Sequence, residues 1–224
     1  MPSAARAQVE SLLRARKLDV TLTSAAPWAD RVRDVAPTGM TALDAALGGG
    51  LARGHLSEIV GPRSSGRTTL LCRMLAAAGT RGEAAALIDA CDRFDPASAQ
   101  AAGVDLSKLL WVRDTGDASR ALKALNLVLQ AGGFGVVAFD VVDVHAMALR
   151  QFPYTTWMRI ARVIEGGQTA AVIVAAERLA RSPGGVTIAL DVPPDVPCAR
   201  WSGTSDRARF LRAIDVRTRV VGGR

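Results

Sequence analysis

The chain has 224 residues, 49% of them hydrophobic, which suits one α/β domain with a sizeable core and some residues left for an arm or tail. No apolar stretch reaches the roughly 18–20 residues that span a bilayer, and the N-terminus shows no apolar secretory region, so the expectation is a protein with no membrane role. A net charge of +7 and a pI near 10.3, carried almost wholly by arginine, favour polyanionic partners such as nucleic acid, although the codon bias of a GC-rich genome would give the same excess.

In chain order, residues 4–17 read as a helix, with Val9, Leu12 and Leu13 set among Arg6, Glu10, Arg14, Arg16 and Lys17. Residues 18–38 read as irregular, so 1–35 is expected to form a helical arm ahead of a core spanning 36–224. That core alternates. Strands are expected at 56–60, 84–88, 109–112, 136–139 and 170–175, and helices at 68–78, 96–102, 119–130 and 155–164. The strands are apolar without alternation, as in a largely parallel sheet covered on both faces. From Phe210 the pattern changes: Phe210, Ile214, Val216 and Val220 alternate with polar residues, as in half-exposed antiparallel strands closing the sheet with one basic face. The expected fold class is thus α/β, a mostly parallel sheet flanked by helices, with antiparallel strands at the C-terminal end.

Residues 61–69, Gly-Pro-Arg-Ser-Ser-Gly-Arg-Thr-Thr, follow a strand and open a helix, the context a phosphate-binding loop requires. Gly61 and Gly66 permit the backbone to turn its N–H groups, with Ser65, toward a phosphate at the helix N-terminus. Thr68 and Thr69 follow, and Thr68 would place a hydroxyl on Mg²⁺. The lysine slot of the motif holds Arg67, whose planar and permanently charged group is no simple substitute. Asp140 ends the apolar run Val136-Val137-Ala138-Phe139, the position from which an aspartate orients Mg²⁺. ATP with Mg²⁺ is accordingly the cofactor to test. Three widely spaced cysteines, Cys72, Cys91 and Cys198, form no disulfide or zinc pattern and point to a reducing cytoplasm. His55 and His145 read as structural or surface residues, Trp111 and Trp157 as core, and Trp201 beside Arg200 as the one aromatic suited to stacking on a base.

The run 38–51, Thr-Gly-Met-Thr-Ala-Leu-Asp-Ala-Ala-Leu-Gly-Gly-Gly-Leu, followed by 54–62, Gly-His-Leu-Ser-Glu-Ile-Val-Gly-Pro, resembles the bacterial recombinase family RecA. Ser64-Ser65-Gly66, Ile88-Asp89-Ala90 with Asp95-Pro96, Gly103-Val104-Asp105 and Asp114-Thr115-Gly116 extend the likeness in order to about residue 145. The resemblance implies a RecA-like core. It also marks departures beyond Arg67. The glutamate that activates water in RecA-type ATPases corresponds to Cys91. The glutamine that senses the γ-phosphate corresponds to Ala176 or Glu177. The DNA-binding loop is cut to about residues 179–186, and RecA's C-terminal domain has no counterpart.

A short RecA relative altered at these positions, with an arginine-rich tail, resembles the ImuA family. That resemblance implies a non-catalytic adaptor, with no catalytic residue of its own, in DNA-damage-induced mutagenic translesion synthesis. Its partners would be an ImuB-like Y-family polymerase homologue, RecA, an error-prone replicative-type polymerase and single-stranded DNA, in the cytoplasm at the nucleoid. Arg178, Arg181, Arg207, Arg209, Arg212, Arg217 and Arg219 are the candidate DNA contacts, or else a solvated basic face. Two other readings stand beside the adaptor: a weak DNA-dependent ATPase of recombination, and a regulator that caps RecA filaments.

Overall fold

The computed structural model describes residues 34–180, 184–190, 199–202, 210–214 and 216–221. The arm expected over 1–35 lies, up to residue 33, outside them.

The strands are β1 (Val35–Ala36), β2 (Leu51–Ala52), β3 (Leu56–Val60), β4 (Ala84–Asp89), β5 (Leu109–Arg113), β6 (Phe134–Asp140), β7 (Ala170–Ala175), β8 (Thr187–Leu190), β9 (Ala199–Ser202), β10 (Phe210–Ile214) and β11 (Thr218–Val221). The helices are α1 (Thr41–Leu47), α2 (Arg67–Thr80), α3 (Pro96–Ala101), α4 (Ala118–Ala131), α5 (Ala146–Arg150) and α6 (Tyr154–Ile164), with a 3₁₀ turn at Leu106–Lys108. The seven-stranded sheet runs β11-β8-β3-β7-β6-β4-β5, and its pairings are parallel except for β11 on β8. β7 therefore lies between the strand that feeds the phosphate loop and the strand that ends in Asp140.

Right-handed crossovers divide the helices between the two faces. Moving from β3 to β4 and on to β5 puts α2 and α3 on one face, where Leu70, Leu71, Met74 and Leu75 pack on Ile59, Leu87, Ala138 and Val172. Returning from β5 to β6 and β7 puts α4 and α6 on the other, where Leu125, Leu129, Trp157 and Ile160 pack on Ile88, Phe139 and Ile173. Each central strand is buried on both faces, and this is why its sequence shows no alternation.

The run 38–51 builds a small clamp. Asp44 Oδ1 accepts bonds from Thr38 N and Thr38 Oγ1, both at 2.7 Å, and α1 ends at Gly48 in the left-handed conformation. This seats Leu43 in the core and pairs β1 antiparallel with β2. Residues 35–36, read as irregular, are thus a short strand.

The tail differs from the expectation in one respect. β11 closes the sheet, but β10 pairs with β9 as a separate antiparallel ribbon, because the pairing partner of Phe210–Ile214 is the stretch 199–202 and not the sheet edge. Among the described residues no helix is long and apolar enough to cross a membrane.

Candidate phosphate-binding site

Six parallel strands point their C-terminal ends the same way, and the loop at 61–66 leaves the sheet there. Gly61 is closely surrounded: a Cβ on it would lie 2.7 Å from Leu190 O and 2.7 Å from Ser65 Oγ. Gly66 caps α2 at φ +94°, and a Cβ there would also meet Val216 Cγ2 at 2.6 Å. Both positions exclude larger residues, so the loop's shape follows directly from its glycines. Ser65 is 5% exposed, and its Oγ is a buried side-chain oxygen with no hydrogen-bond partner among the described residues. A buried hydroxyl without a partner is costly unless something else satisfies it. A cradle closed to any Cβ, with a donor left over, fits a phosphate group. Thr68 and Thr69 are exposed in the first turn of α2.

Arg67 does not stand free in this cradle. It is 7% exposed, and its Nη1 donates to the backbone oxygen of Ala175, the last residue of β7, at 3.2 Å. Burial lowers its pKa from the ordinary arginine value, against the opposing pull of Asp140 and Asp143. One of its five N–H donors is thus committed, across the strand ends, to the protein's own carbonyl.

The acidic side of the site is built by β4 and β6. Asp89 and Asp140 are paired in register at the ends of these adjacent strands. Asp89 is a structural anchor: it accepts bonds from Phe94 N at 2.8 Å, Cys91 N at 3.3 Å and Trp111 Nε1 at 3.4 Å. Asp140 Oδ1 accepts a bond from Val142 N at 3.1 Å, and burial with neighbouring Asp89 pushes its pKa up to about 6. Cys91 sits beside them. Burial, then Asp143 and Asp89, raises its thiol pKa, so the group stays protonated where a water-activating carboxylate would be charged. Asp143, ion-paired with Arg93 at 3.6 Å, was missed in the sequence, although its place three residues after Asp140 was a signal. Val216 gave no such signal, since only the fold lays it against Gly66.

Beyond β7, Ala176 and Glu177 are both exposed. Glu177 is held by Arg150 Nη2 at 2.9 Å, on the molecule's outside. The chain then turns inward. Leu179 N and Ala180 N each donate to Glu58 Oε1 at 2.7 Å, and this carboxylate, inside the apolar strand β3, is 1% exposed.

The structure brings Gly61, Ser65, Gly66, Arg67, Thr68, Thr69 and Asp140 to one end of the sheet. Of the arginines considered for DNA, Arg178, Arg217 and Arg219 are exposed. Arg178 follows β7 and Arg217 precedes β11, so both lie at that same end, on strands separated by β3 and β8. Arg212 is on β10, while Arg181, Arg207 and Arg209 lie outside the described residues, as do Trp28 and Cys198.

Residues 22–150 match the family of the RecA N-terminal domain. The chain belongs to that family. It is 47% identical to RecA of Methylococcus capsulatus and 46% to RecA of Symbiobacterium thermophilum, each over 111 residues. RecA of Thermus thermophilus is 45% identical over 111 residues, which is 49% of this chain and 32% of that protein. This RecA-family chain therefore spans about a third of the length of the curated relatives it matches.

Proposed function

We propose that this chain is a non-catalytic RecA-like adaptor of the ImuA type, acting in DNA-damage-induced mutagenic translesion synthesis. RecA family membership supports a place in DNA repair or recombination. The observation that carries the adaptor reading is Arg67, buried at the lysine position and bonded to Ala175 O. A lysine there would bring a mobile point charge to a transferring phosphoryl group. The protonated Cys91 thiol, and Ala176 or the outward Glu177, alter the other two catalytic positions in the same direction.

ATP with Mg²⁺ fits this site as a bound group rather than as a reactant. The backbone of 61–66, with Ser65, Thr68 and Thr69, would hold the phosphates, and Thr68 and Asp140 the Mg²⁺. When bound, the nucleotide would supply a dense negative charge, to which Ser65 Oγ, without a partner among the described residues, would donate. The chain's own residues orient it and provide no carboxylate at the water-activating position. Residues 1–35 serve as a docking arm, and 36–224 as the core that receives partners: an ImuB-like Y-family polymerase homologue, RecA and an error-prone replicative-type polymerase. Arg178, Arg217 and Arg219 are the described candidates for contact with single-stranded DNA.

Genetics tests this directly. Cells lacking the chain lose damage-induced mutagenesis, while cells carrying Asp140→Ala at unchanged protein level keep it. Loss in both would return the reading to an ATPase. A purified Y-family polymerase homologue binds the wild-type chain, and absence of any complex would contradict the adaptor role.

A further inference from the structure

Among the described residues, four of the six exposed large hydrophobic side chains sit on α4 and α6: Leu127 at 65%, Tyr154 at 49%, Met158 at 40% and Val163 at 37%. The two helices lie side by side on one face of the sheet. Their inner stripes are fully used, Leu125, Val128 and Leu129 on α4 and Trp157, Ile160 and Ile164 on α6. These four apolar groups are therefore an outer set, beyond what the core requires. Helical spacing places Arg120, Lys123 and Leu127 along one outer ridge, and Tyr154, Met158 and Arg162 along the other, with Arg159 and Val163 beside it.

Charge decides what fits there. Neither helix contains an acidic residue. Arg120 is paired with Asp114 and Arg162 with Glu165, while Lys123 and Arg159 make no ion pair among the described residues. Apolar groups interleaved with uncompensated cations match an amphipathic segment with an acidic flank, as in helix-in-groove recognition. A second copy of this face would bring cation against cation. The sequence of residues 1–33 is itself net basic, with six basic and three acidic residues, and so supplies no acidic flank. Nucleic acid would satisfy the cations and leave Leu127, Met158 and Val163 unused.

We infer that the outer face of α4 and α6 is a docking surface for an acidic amphipathic helix of a partner protein. Identifying that partner with the polymerase homologue rests on the adaptor reading; the surface itself does not. The test uses a synthetic amphipathic peptide of leucine and glutamate, read by fluorescence anisotropy and by amide shifts in the full chain. The peptide shifts residues of α4 and α6. The pair Lys123→Glu and Arg159→Glu weakens it about tenfold or more, as does Leu127→Asp with Met158→Asp, all with unchanged melting curves. A leucine–lysine peptide does not bind. No binding of the glutamate peptide, equal binding of both peptides, or equal shifts from a single-stranded oligonucleotide would each overturn the surface. If the peptide binds and the purified polymerase homologue does not, the surface stands and the adaptor reading fails.

Discussion

Arg67 shows how one side chain changes what a loop can do. A lysine has a flexible stem and a compact charge, whereas the arginine fork is long, planar and here bonded to Ala175 O. Arg67→Lys should free that end of the cradle and raise ATP affinity about tenfold, measured by calorimetry; equal affinities would contradict this account of the loop. Asp140 gives a second prediction. Its pKa in the fold, about 6, lies above its unfolded value near 4, so the fold favours the protonated acid. Its stabilising contribution is present below about pH 4 and is lost as pH rises through about 6. Asp140→Asn should therefore stabilise the protein by up to about 2 kcal/mol at pH 7 and by little at pH 4, seen in denaturant melts at the two pH values. The loop glycines, Arg67 and Asp140 were legible in the sequence because a motif names them by spacing. The Ala175 contact and Val216 were not, since they depend on strands brought together across more than a hundred residues.

Two carboxylates hold elements in place. Asp114 accepts bonds from Thr115 N at 2.6 Å, Asp117 N at 3.0 Å and Arg120 Nη2 at 2.9 Å, and so fixes the turn from β5 into α4. The Arg120 bond foremost holds its pKa down at about 2, below the unfolded value, so this stability is present above about pH 4 and lost as pH falls through about 2. Asp114→Ala should cost about 2 kcal/mol at neutral pH, with the gap to wild type narrowing in acid. Glu58 anchors the chain after β7 through Leu179 N and Ala180 N. Glu58→Ala should speed amide exchange at these two residues and lower stability by about 2–3 kcal/mol, the cost of buried donors left unpaired; unchanged exchange would show that the anchor is dispensable. α4 and α6 were readable because their amphipathic pattern spans several turns, and β4 and β6 because they are unbroken apolar runs. β1, β2, α1 and α5 offer neither signal, and tertiary bonds such as Thr38 to Asp44 define such short elements instead.

At the scale of the whole molecule, one RecA-like core carries two unlike regions. The strand ends hold a glycine-built loop whose Arg67 bonds the protein's own carbonyl, near the protonated Cys91 thiol. The outer face of α4 and α6 offers apolar groups among cations. The parallel sheet was legible from unalternated apolar strands and the likeness to RecA, but the outer face was not, because surface apolar residues acquire meaning only once the core has claimed its own. Function on this account lies in what the molecule holds rather than in what it cleaves. The most direct measurement is steady-state ATP turnover by the purified chain, with and without single-stranded DNA, beside Asp140→Ala. No difference between the two proteins and no stimulation by DNA are expected. DNA-stimulated turnover that Asp140→Ala abolishes would contradict the non-catalytic reading.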